Sequence, residues 1–342
     1  MMDIRKLVRE NIRSLAPYST ARDDYQGGEL GIFLDANESP YQNGYNRYPD
    51  PHQRTLKSII SAKKGVPAAN IFIGNGSDEP IDLLYRIFCE PSRDNAISIS
   101  PSYGMYRVAA DINGVELREV SLNADFSLDC EAIFAACDSN SRLLFLCSPN
   151  NPTANLLDEM SVEYLISNFG GVVVVDEAYI DFADSCGFAP RLAEFENLVV
   201  LQTLSKAWGM AGLRLGLAFG SEYIVELMSR VKYPYNINVV TQHLVGELLQ
   251  TPIDDKVTQI VEQRKRIESS IASASVVRRV YPSDANFLLI EVDDAPRVYQ
   301  ALIAERIIVR DRSRVALCTN CLRISVGTPE ENSRLIEIIN AL

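Results

Sequence analysis

The stretch G-V-V-V-V-D-E-A-Y, residues 171–179, decides the predicted fold. Its four consecutive valines do not alternate with polar residues, which is typical of a strand buried on both faces in a parallel sheet. Similar apolar runs predict strands at 70–73, 96–100, 115–120, 142–147, 171–175, 198–202 and 214–219. Amphipathic patterns predict intervening helices at 79–89, 103–113, 131–136 and 159–168. Because strands and helices alternate, we predict an α/β domain with a mostly parallel sheet flanked by helices.

The pattern changes after Tyr235. A long helical stretch at 239–274 precedes shorter alternating segments, which lie at 286–291, 307–310 and 322–326. This texture predicts a smaller α+β domain, which we expect to include the N-terminal arm. We therefore place a large domain at 45–238 and a small domain at 1–44 and 239–342.

Composition excludes several classes of function. The 342 residues are 47% hydrophobic and 23% charged, which indicates a globular chain with ample material for a core. The net charge is −12 and no run of Lys and Arg offsets it, so we expect no nucleic-acid partner. The longest aliphatic stretch, 172–175, is far shorter than the roughly 20 residues of a membrane span, so we expect no membrane partner.

The N-terminus and the thiols indicate the compartment. The first ten residues carry charges throughout, unlike a secretory signal, and seven Cys are scattered without a disulfide framework. We therefore expect a cytoplasmic protein. The two histidines, His52 and His243, exclude a His-rich metal site, and the single pair Cys318 and Cys321 supplies only half of a zinc site. No metal is expected.

Short polar clusters follow five of the predicted strands. They are G-N-G-S-D-E (74–79), P-S-Y-G (101–104), S-P-N-N-P-T-A (148–154), D-E-A-Y (176–179) and T-L-S-K (203–206). Ligands of open α/β sheets bind beyond the carboxyl ends of the strands, so these clusters could converge on one crevice. The first cluster has Glu79 where a dinucleotide fingerprint needs its third glycine. Adjacent residues on a strand point in opposite directions, so Asp176 and Glu177 are a poor pair for glycoside hydrolysis.

The clusters contain the residue types that pyridoxal phosphate (PLP) chemistry requires. A lysine must form a Schiff base, and a carboxylate must hold the pyridine nitrogen protonated so that the ring accepts electrons. Backbone N–H groups at a helix start, together with hydroxyls and an arginine, can neutralise the phosphate.

Seven ordered motifs carry a resemblance to a known family. They are N-R-Y-P-D (46–50), G-S-D-E (76–79), P-S-Y-G-M-Y (101–106), S-P-N-N-P-T (148–153), D-E-A-Y-I-D-F (176–182), T-L-S-K-A-W-G-M-A-G-L-R-L-G (203–216) and C-L-R-I-S-V-G-T (321–328). The chain thus resembles the fold-type-I, class II PLP-dependent aminotransferases, and within them those that act on histidinol phosphate. The resemblance implies the aspartate-aminotransferase-like fold and a homodimer with shared active sites. It also implies transamination of L-histidinol phosphate with 2-oxoglutarate, giving imidazole-acetol phosphate and L-glutamate in histidine biosynthesis.

The resemblance assigns roles to individual residues. Lys206 looks like the catalytic lysine, which binds the cofactor covalently and moves the substrate proton. Asp176 resembles the partner of the ring nitrogen, and Asn151 and Tyr179 resemble the pair at the phenolate oxygen. The remaining implied cofactor contacts are ring stacking by Tyr103, phosphate binding by Ser77, Asp78, Thr203, Ser205 and Arg214, and a contact from Tyr48 to the phosphate in the neighbouring subunit.

The resemblance also implies a substrate site. Arg323 and Arg310 would clamp the anionic end of the substrate, and Tyr18 and Asn37 match substrate-binding positions. Arg323 lies on the strand face opposite Leu322 and Ile324. The sequence departs from the family at Ala154, where a glycine is usual, so we predict that this loop adopts unusual backbone angles.

Three alternatives share parts of this pattern. A broad-specificity aromatic aminotransferase would keep every cofactor residue and differ only in the substrate pocket. A lyase such as a threonine-phosphate decarboxylase would keep Lys206 and the arginines but release carbon dioxide. A transcriptional regulator would need a basic DNA-binding module. Because the aminotransferase motifs begin early in this acidic chain, we expect no such module before them.

Overall fold

The structure, a computed structural model, describes residues 3–16 and 32–342 and builds them around two β-sheets. The larger sheet consists of β1 (Ile71–Asn75), β2 (Asn95–Ser100), β3 (Glu116–Ser121), β4 (Ser141–Cys147), β5 (Val172–Asp176), β6 (Leu198–Thr203) and β7 (Leu215–Gly220). The smaller sheet consists of β8 (Val277–Val280), β9 (Phe287–Val292), β10 (Arg310–Asp311) and β11 (Cys321–Ser325).

The larger sheet is mostly parallel. Its strand order is β1-β7-β6-β5-β4-β2-β3, and only β7 runs antiparallel to its neighbours. The valines of β5 divide between two apolar clusters, with Val172 and Val174 in one and Val173 and Val175 in the other. Both faces of the sheet are therefore covered, and the seven strands predicted from apolar runs are confirmed to within two residues at each end.

Helices cover both faces of this sheet and the outer side of the smaller one. The α-helices are α1 (Glu10–Arg13), α2 (Arg54–Lys64), α3 (Asp78–Phe88), α4 (Met105–Ile112), α5 (Cys130–Ala135), α6 (Glu159–Asn168), α7 (Glu222–Val231), α8 (Val239–Leu248), α9 (Asp254–Ile271), α10 (Ala295–Ala304) and α11 (Pro329–Ala341). A third apolar cluster joins α9, α10 and α11 to the smaller, antiparallel sheet. Within the described residues, no helix has the length and apolar character that crossing a membrane requires.

Two predicted elements differ from the structure. The long helical stretch predicted at 239–274 is divided into two helices, because α8 ends at Leu248 and α9 begins at Asp254. Pro252 lies in the break, and a proline in a helix interior removes a hydrogen bond and clashes with the preceding turn. The helix predicted from residue 103 begins at Met105, so Tyr103 lies in the connection before α4. The division into domains at residues 45 and 238 stays a prediction.

Candidate active site

The polar clusters that follow β1, β2, β4, β5 and β6 converge on one cavity of about 620 Å³, a volume that includes solvent at its open mouth. Three small residues, Cys147, Ala178 and Ala211, form part of its wall. The structure brings together in its lining ten residues that the sequence assigned to a cofactor: Ser77, Asp78, Tyr103, Asn151, Asp176, Tyr179, Thr203, Ser205, Lys206 and Arg214.

A buried carboxylate lies at the floor of the cavity. Asp176 is the last residue of β5, where it accepts hydrogen bonds from the Tyr106 hydroxyl at 2.8 Å and the Ala178 N–H at 3.1 Å. Burial raises the pKa of Asp176 to about 6, although both hydrogen bonds favour its ionised form. A cationic or N–H donor placed against this carboxylate would restore the lost solvation. Sequence reasoning missed Tyr106, although it ends the quoted P-S-Y-G-M-Y motif.

The side chains of Asp176 and the adjacent Glu177 point in opposite directions, as the strand geometry predicts. The Glu177 carboxylate turns away from the cavity and accepts hydrogen bonds from the Phe188 N–H and, at 2.9 Å, from the Gln202 amide. Burial raises the pKa of Glu177 to about 7. The two carboxylates thus occupy different environments, and only Asp176 lines the cavity.

A lysine and an amide–phenol pair face this floor. The Lys206 Nζ lies 5.5 Å from the centroid of the Tyr179 ring. Desolvation in the cavity lowers the pKa of the Lys206 amine, and the positive charge of Arg323 acts in the same direction. The Asn151 amide donates to the Tyr179 hydroxyl across 3.4 Å. The lowered pKa increases the fraction of neutral, nucleophilic amine.

One end of the cavity is a built anion cradle. Ser77 is the N-cap of α3, and its hydroxyl makes no capping hydrogen bond. The Gly76 N–H donates to the Arg214 carbonyl oxygen at 2.7 Å, which holds the Arg214 loop beside the start of α3. A Cβ on Gly216 would lie only 2.2 Å from the Ser77 nitrogen, so the close approach requires glycine. The hydroxyls of Thr203 and Ser205, 3.0 Å apart, complete the polar wall.

Asp78 and Tyr103 close the same end. The Tyr103 hydroxyl donates to the Asp78 carboxylate at 3.0 Å, and the Arg214 guanidinium lies 3.7 Å from that carboxylate. This contact fixes the Tyr103 side chain at the wall of the cavity. The first backbone N–H groups of a helix have no carbonyl partner within it, so those at the start of α3 can bind an anion.

An arginine of the smaller sheet contacts Asn151, which lines the cavity. Arg323 lies on β11 between the buried residues Leu322 and Ile324, on the opposite face as predicted. Its guanidinium donates to Asn151 Oδ1 at 2.5 Å and lies over the Phe287 ring. Arg310 on β10 is directly opposite Arg323 in the strand register.

Four described residues of the predicted site, Asn37, Tyr48, Arg310 and Arg323, are not among the residues that line this cavity. Asn37 and Tyr48 line a separate cavity, where the Tyr48 ring stacks on Tyr235 with 4.4 Å between the ring centroids. Within one chain the structure does not bring them to Lys206. Tyr18 lies outside the described residues.

The donor set fits a flat heteroaromatic ring that carries a phosphate. A carboxylate at the floor suits a protonated ring nitrogen, the Asn151–Tyr179 pair offers donors to an oxygen substituent, and the glycine-lined cradle suits the phosphate. In residues 3–16 and 32–342, no three His, Cys, Asp or Glu side chains form a group that could hold a metal ion.

Comparisons with known proteins show the family of the chain. The family model described as aminotransferase class I and II matches residues 32–339. The histidinol-phosphate aminotransferase of Parabacteroides distasonis is 50% identical over 338 residues, which cover 98% of this chain and 98% of that protein.

Solved structures agree with the fold. Histidinol-phosphate aminotransferase from Sinorhizobium meliloti, in complex with pyridoxal-5'-phosphate, superimposes with a TM-score of 0.77 at 24% identity, covering 86% of this chain and 83% of that one. Aspartate aminotransferase from Thermotoga maritima gives a TM-score of 0.74 at 19% identity and covers 91% of each chain. The fold is therefore the aspartate-aminotransferase-like fold, as the sequence motifs implied.

Proposed function

The chain belongs to the aminotransferase class I and II family, and from this premise we propose that it transaminates L-histidinol phosphate with 2-oxoglutarate. The products are imidazole-acetol phosphate and L-glutamate, as in histidine biosynthesis. One observation carries the choice of substrate: Arg310 is the strand partner of Arg323, whose guanidinium contacts Asn151 in the wall of the Lys206 cavity, and neither arginine forms an ion pair with a carboxylate in the described residues. Paired guanidinium groups are suited to a phosphate monoester.

Pyridoxal 5'-phosphate is the cofactor of this enzyme. When bound, it supplies an electron sink that stabilises the negative charge left on the substrate carbon after proton loss. We assign its phosphate to the cradle formed by Ser77, the first turn of α3, Thr203, Ser205 and Arg214. Tyr103 would stack on the ring, and Asn151 and Tyr179 would donate to the ring oxygen.

Lys206 and Asp176 divide the proton chemistry between them. With its lowered pKa, the Lys206 amine would take the proton from the substrate α-carbon as a general base and then, as a general acid, give it to the C4′ carbon of the cofactor. Asp176, with a pKa of about 6, is mostly ionised at neutral pH and would hold a proton at the ring nitrogen of the cofactor. Tyr106 fixes the orientation of the Asp176 carboxylate by donating a hydrogen bond to its Oδ2.

The substrate's anionic end would bind Arg323 and Arg310, and Tyr18 and Asn37 stay predicted substrate contacts. Arg323 also ties the substrate site to the cofactor site, because it holds the oxygen of the Asn151 amide. The amide nitrogen is thereby directed at Tyr179. The amino donor and the 2-oxo acid are small molecules, which the Lys206 cavity would accommodate in alternation.

A homodimer with shared sites would explain the position of Tyr48. Its side chain is 50% exposed and lies outside the Lys206 cavity of its own chain. The outward face of α8 presents Val240, Leu244 and Leu248 at intervals of four residues, an apolar stripe suited to a subunit interface. We therefore expect Tyr48 to reach the cofactor phosphate of the second subunit.

The visible absorption of the purified protein tests the proposed reaction. We expect the band of the bound cofactor to disappear on addition of histidinol phosphate and to return with 2-oxoglutarate, and Lys206→Ala to show neither change at catalytic rates. Conversion by phenylalanine at an equal rate would favour the broad-specificity aromatic enzyme. Release of carbon dioxide from threonine phosphate would favour the lyase. If histidinol phosphate left the absorption band of the cofactor unchanged, the assigned substrate would be contradicted.

A further inference from the structure

A third arginine, Arg312, lies beside the two that the sequence assigned to the substrate anion. Its N–H donates to the Cys321 carbonyl oxygen at 2.8 Å, which extends the pairing of β10 with β11 by one step. Side chains two positions apart on an extended strand share a face. Arg310 and Arg312 therefore lie on the same face of this strand pair as Arg323, the direct partner of Arg310.

The Arg312 side chain lacks a partner in the structure. Its Nε is buried and has no hydrogen-bond partner, and its guanidinium forms no ion pair with any residue in 3–16 or 32–342. Nearly all buried donors in proteins are paired, because an unpaired one loses its hydrogen bond to water without replacement. The adjacent Asp311 does not compensate, since its carboxylate accepts the Ser313 N–H at 2.8 Å. An orphaned donor here indicates a missing acceptor.

The local charge also requires a counterion. Three guanidiniums share this face, although the whole chain carries a net charge of −12. Burial lowers the pKa of Arg312, and the like charges of Arg323 and Arg310 lower it further. Arginine nevertheless stays protonated in proteins, so the three charges repel one another until an anion binds. No Asp or Glu side chain in the described ranges forms an ion pair with Arg310, Arg312 or Arg323.

We propose that Arg312 is the third guanidinium of the substrate's anion site and sets its preference for a phosphate monoester. A phosphate monoester carries a charge of about −1.5 to −2 and three acceptor oxygens, so three guanidiniums can each bind it, whereas one guanidinium satisfies a carboxylate. Arg312 is thus a specificity-determining residue. The inference rests on the proposed function, because it takes the phosphorylated amine as the ligand.

Matched variants of the PLP-loaded enzyme test the role. Arg312→Gln removes the charge, and Arg314→Gln removes an exposed arginine two residues later in the same segment. With histidinol phosphate we expect Arg312→Gln to raise KM about 10- to 100-fold and to change kcat less than about threefold. With histidinol, which lacks the phosphate, kcat/KM should change less than about twofold. Arg314→Gln should resemble wild type on both, and Arg312→Lys should recover part of the lost affinity.

A loss of equal size on both substrates would mean that Arg312 only supports the fold, and no loss on either would place it outside the site. Both results overturn the proposal. A second readout needs no turnover: inorganic phosphate should raise the Tm of the wild-type holoenzyme and of Arg314→Gln, and raise that of Arg312→Gln much less. Equal stabilisation of all three would refute Arg312 as an anion ligand while leaving the proposed reaction intact. If wild type did not prefer histidinol phosphate to histidinol, yet phosphate stabilisation depended on Arg312, the reaction would be wrong and the anion site would stand.

Discussion

The Arg323 guanidinium donates a hydrogen bond to Asn151 Oδ1 across 2.5 Å, which joins the smaller sheet to the loop after β4. The same Asn151 amide donates from its nitrogen to the Tyr179 hydroxyl. A substrate anion that binds Arg323 therefore acts on a side chain that is already connected to the proposed cofactor site. Substrate binding and cofactor orientation are coupled through one amide.

Replacing Arg323 should separate binding from cofactor retention. Arg323→Lys keeps a positive charge but loses the planar fork that can hold Asn151 and a substrate oxygen together. We expect kcat/KM for histidinol phosphate to fall about 100-fold, while PLP affinity changes less than about threefold, because the phosphate cradle is untouched. Steady-state kinetics and cofactor titration measure the two effects. Loss of PLP in proportion to activity would contradict this separation.

The glycine at position 216 should be essential for cofactor retention. In Gly216→Ala the new Cβ would meet backbone atoms of Gly76 and Ser77, at 2.3 and 2.2 Å, so the start of α3 must move. We expect PLP affinity to fall at least about 10-fold, as the cradle's N–H groups lose their alignment. Gly170→Ala is the matched control, since its Cβ would have no neighbour within 4 Å. If both variants retained PLP equally well in a cofactor titration, the cradle assignment would be wrong.

Asp176 should make the cofactor-free protein sensitive to pH. Burial raises its pKa from 3.8 to about 6, so between these values the folded state holds a proton that the unfolded state releases. Protonated Asp176 therefore contributes its full share to the free energy of unfolding below pH 3.8, and this contribution is lost as the pH rises through about 6. The loss amounts to about 2 to 3 kcal/mol relative to Asp176→Asn, which does not titrate. Denaturant unfolding of both apoproteins at four pH values between about 4.5 and 7.5 measures how the difference in their free energies of unfolding changes with pH. A difference that does not change with pH would exclude the titration of Asp176 in this range.

The sequence predicted the strands and the cavity lining because both depend on local patterns. Apolar runs such as 172–175 need both faces covered, and the polar residues after them must then meet at one edge of the sheet. The hydrogen bond from Tyr106 to Asp176 could not be predicted in this way, because it joins residues 70 positions apart. A tyrosine on a buried helix face has the same local pattern whether it packs or donates.

The same limit applies to the anion site. The alternation of side chains along a strand places Arg323 on the face opposite Leu322. Whether Arg312 Nε finds a hydrogen-bond partner depends instead on the path of the chain at 312–321, which a local pattern does not give. The break between α8 and α9 was missed for a different reason, since the apolar periodicity continues through Pro252. Pro252 was the one residue in this stretch that indicated a break between the two helices.

A mixture of two inactive variants should test the shared active site. Lys206→Ala lacks the catalytic amine, and Tyr48→Ala lacks the residue proposed to serve the second subunit. In a mixed dimer, one of the two sites combines an intact Lys206 with an intact Tyr48. Random reassociation should therefore recover about a quarter of wild-type activity, half of the dimers each having one intact site. Recovery no greater than the sum of the separate variants, in a preparation shown by mass spectrometry to contain mixed dimers, would place Tyr48 in its own subunit's site or in none.

Ala154 adopts the backbone angles that its position in the loop predicted, with φ of 70° and a fully buried side chain. Ala154→Gly should relieve roughly 1 to 2 kcal/mol of left-handed strain. The glycine also loses about 0.5 to 1 kcal/mol through backbone entropy and about 0.8 kcal/mol through the missing buried methyl. These effects nearly cancel, so we expect the free energy of unfolding to change by less than about 1 kcal/mol. Ala154→Val has no such compensation, because a β-branched side chain is strained further at positive φ, and should cost at least about 2 kcal/mol. Denaturant unfolding of the three proteins measures the changes, and a gain above about 2 kcal/mol for Ala154→Gly would show that the buried methyl contributes nothing to packing.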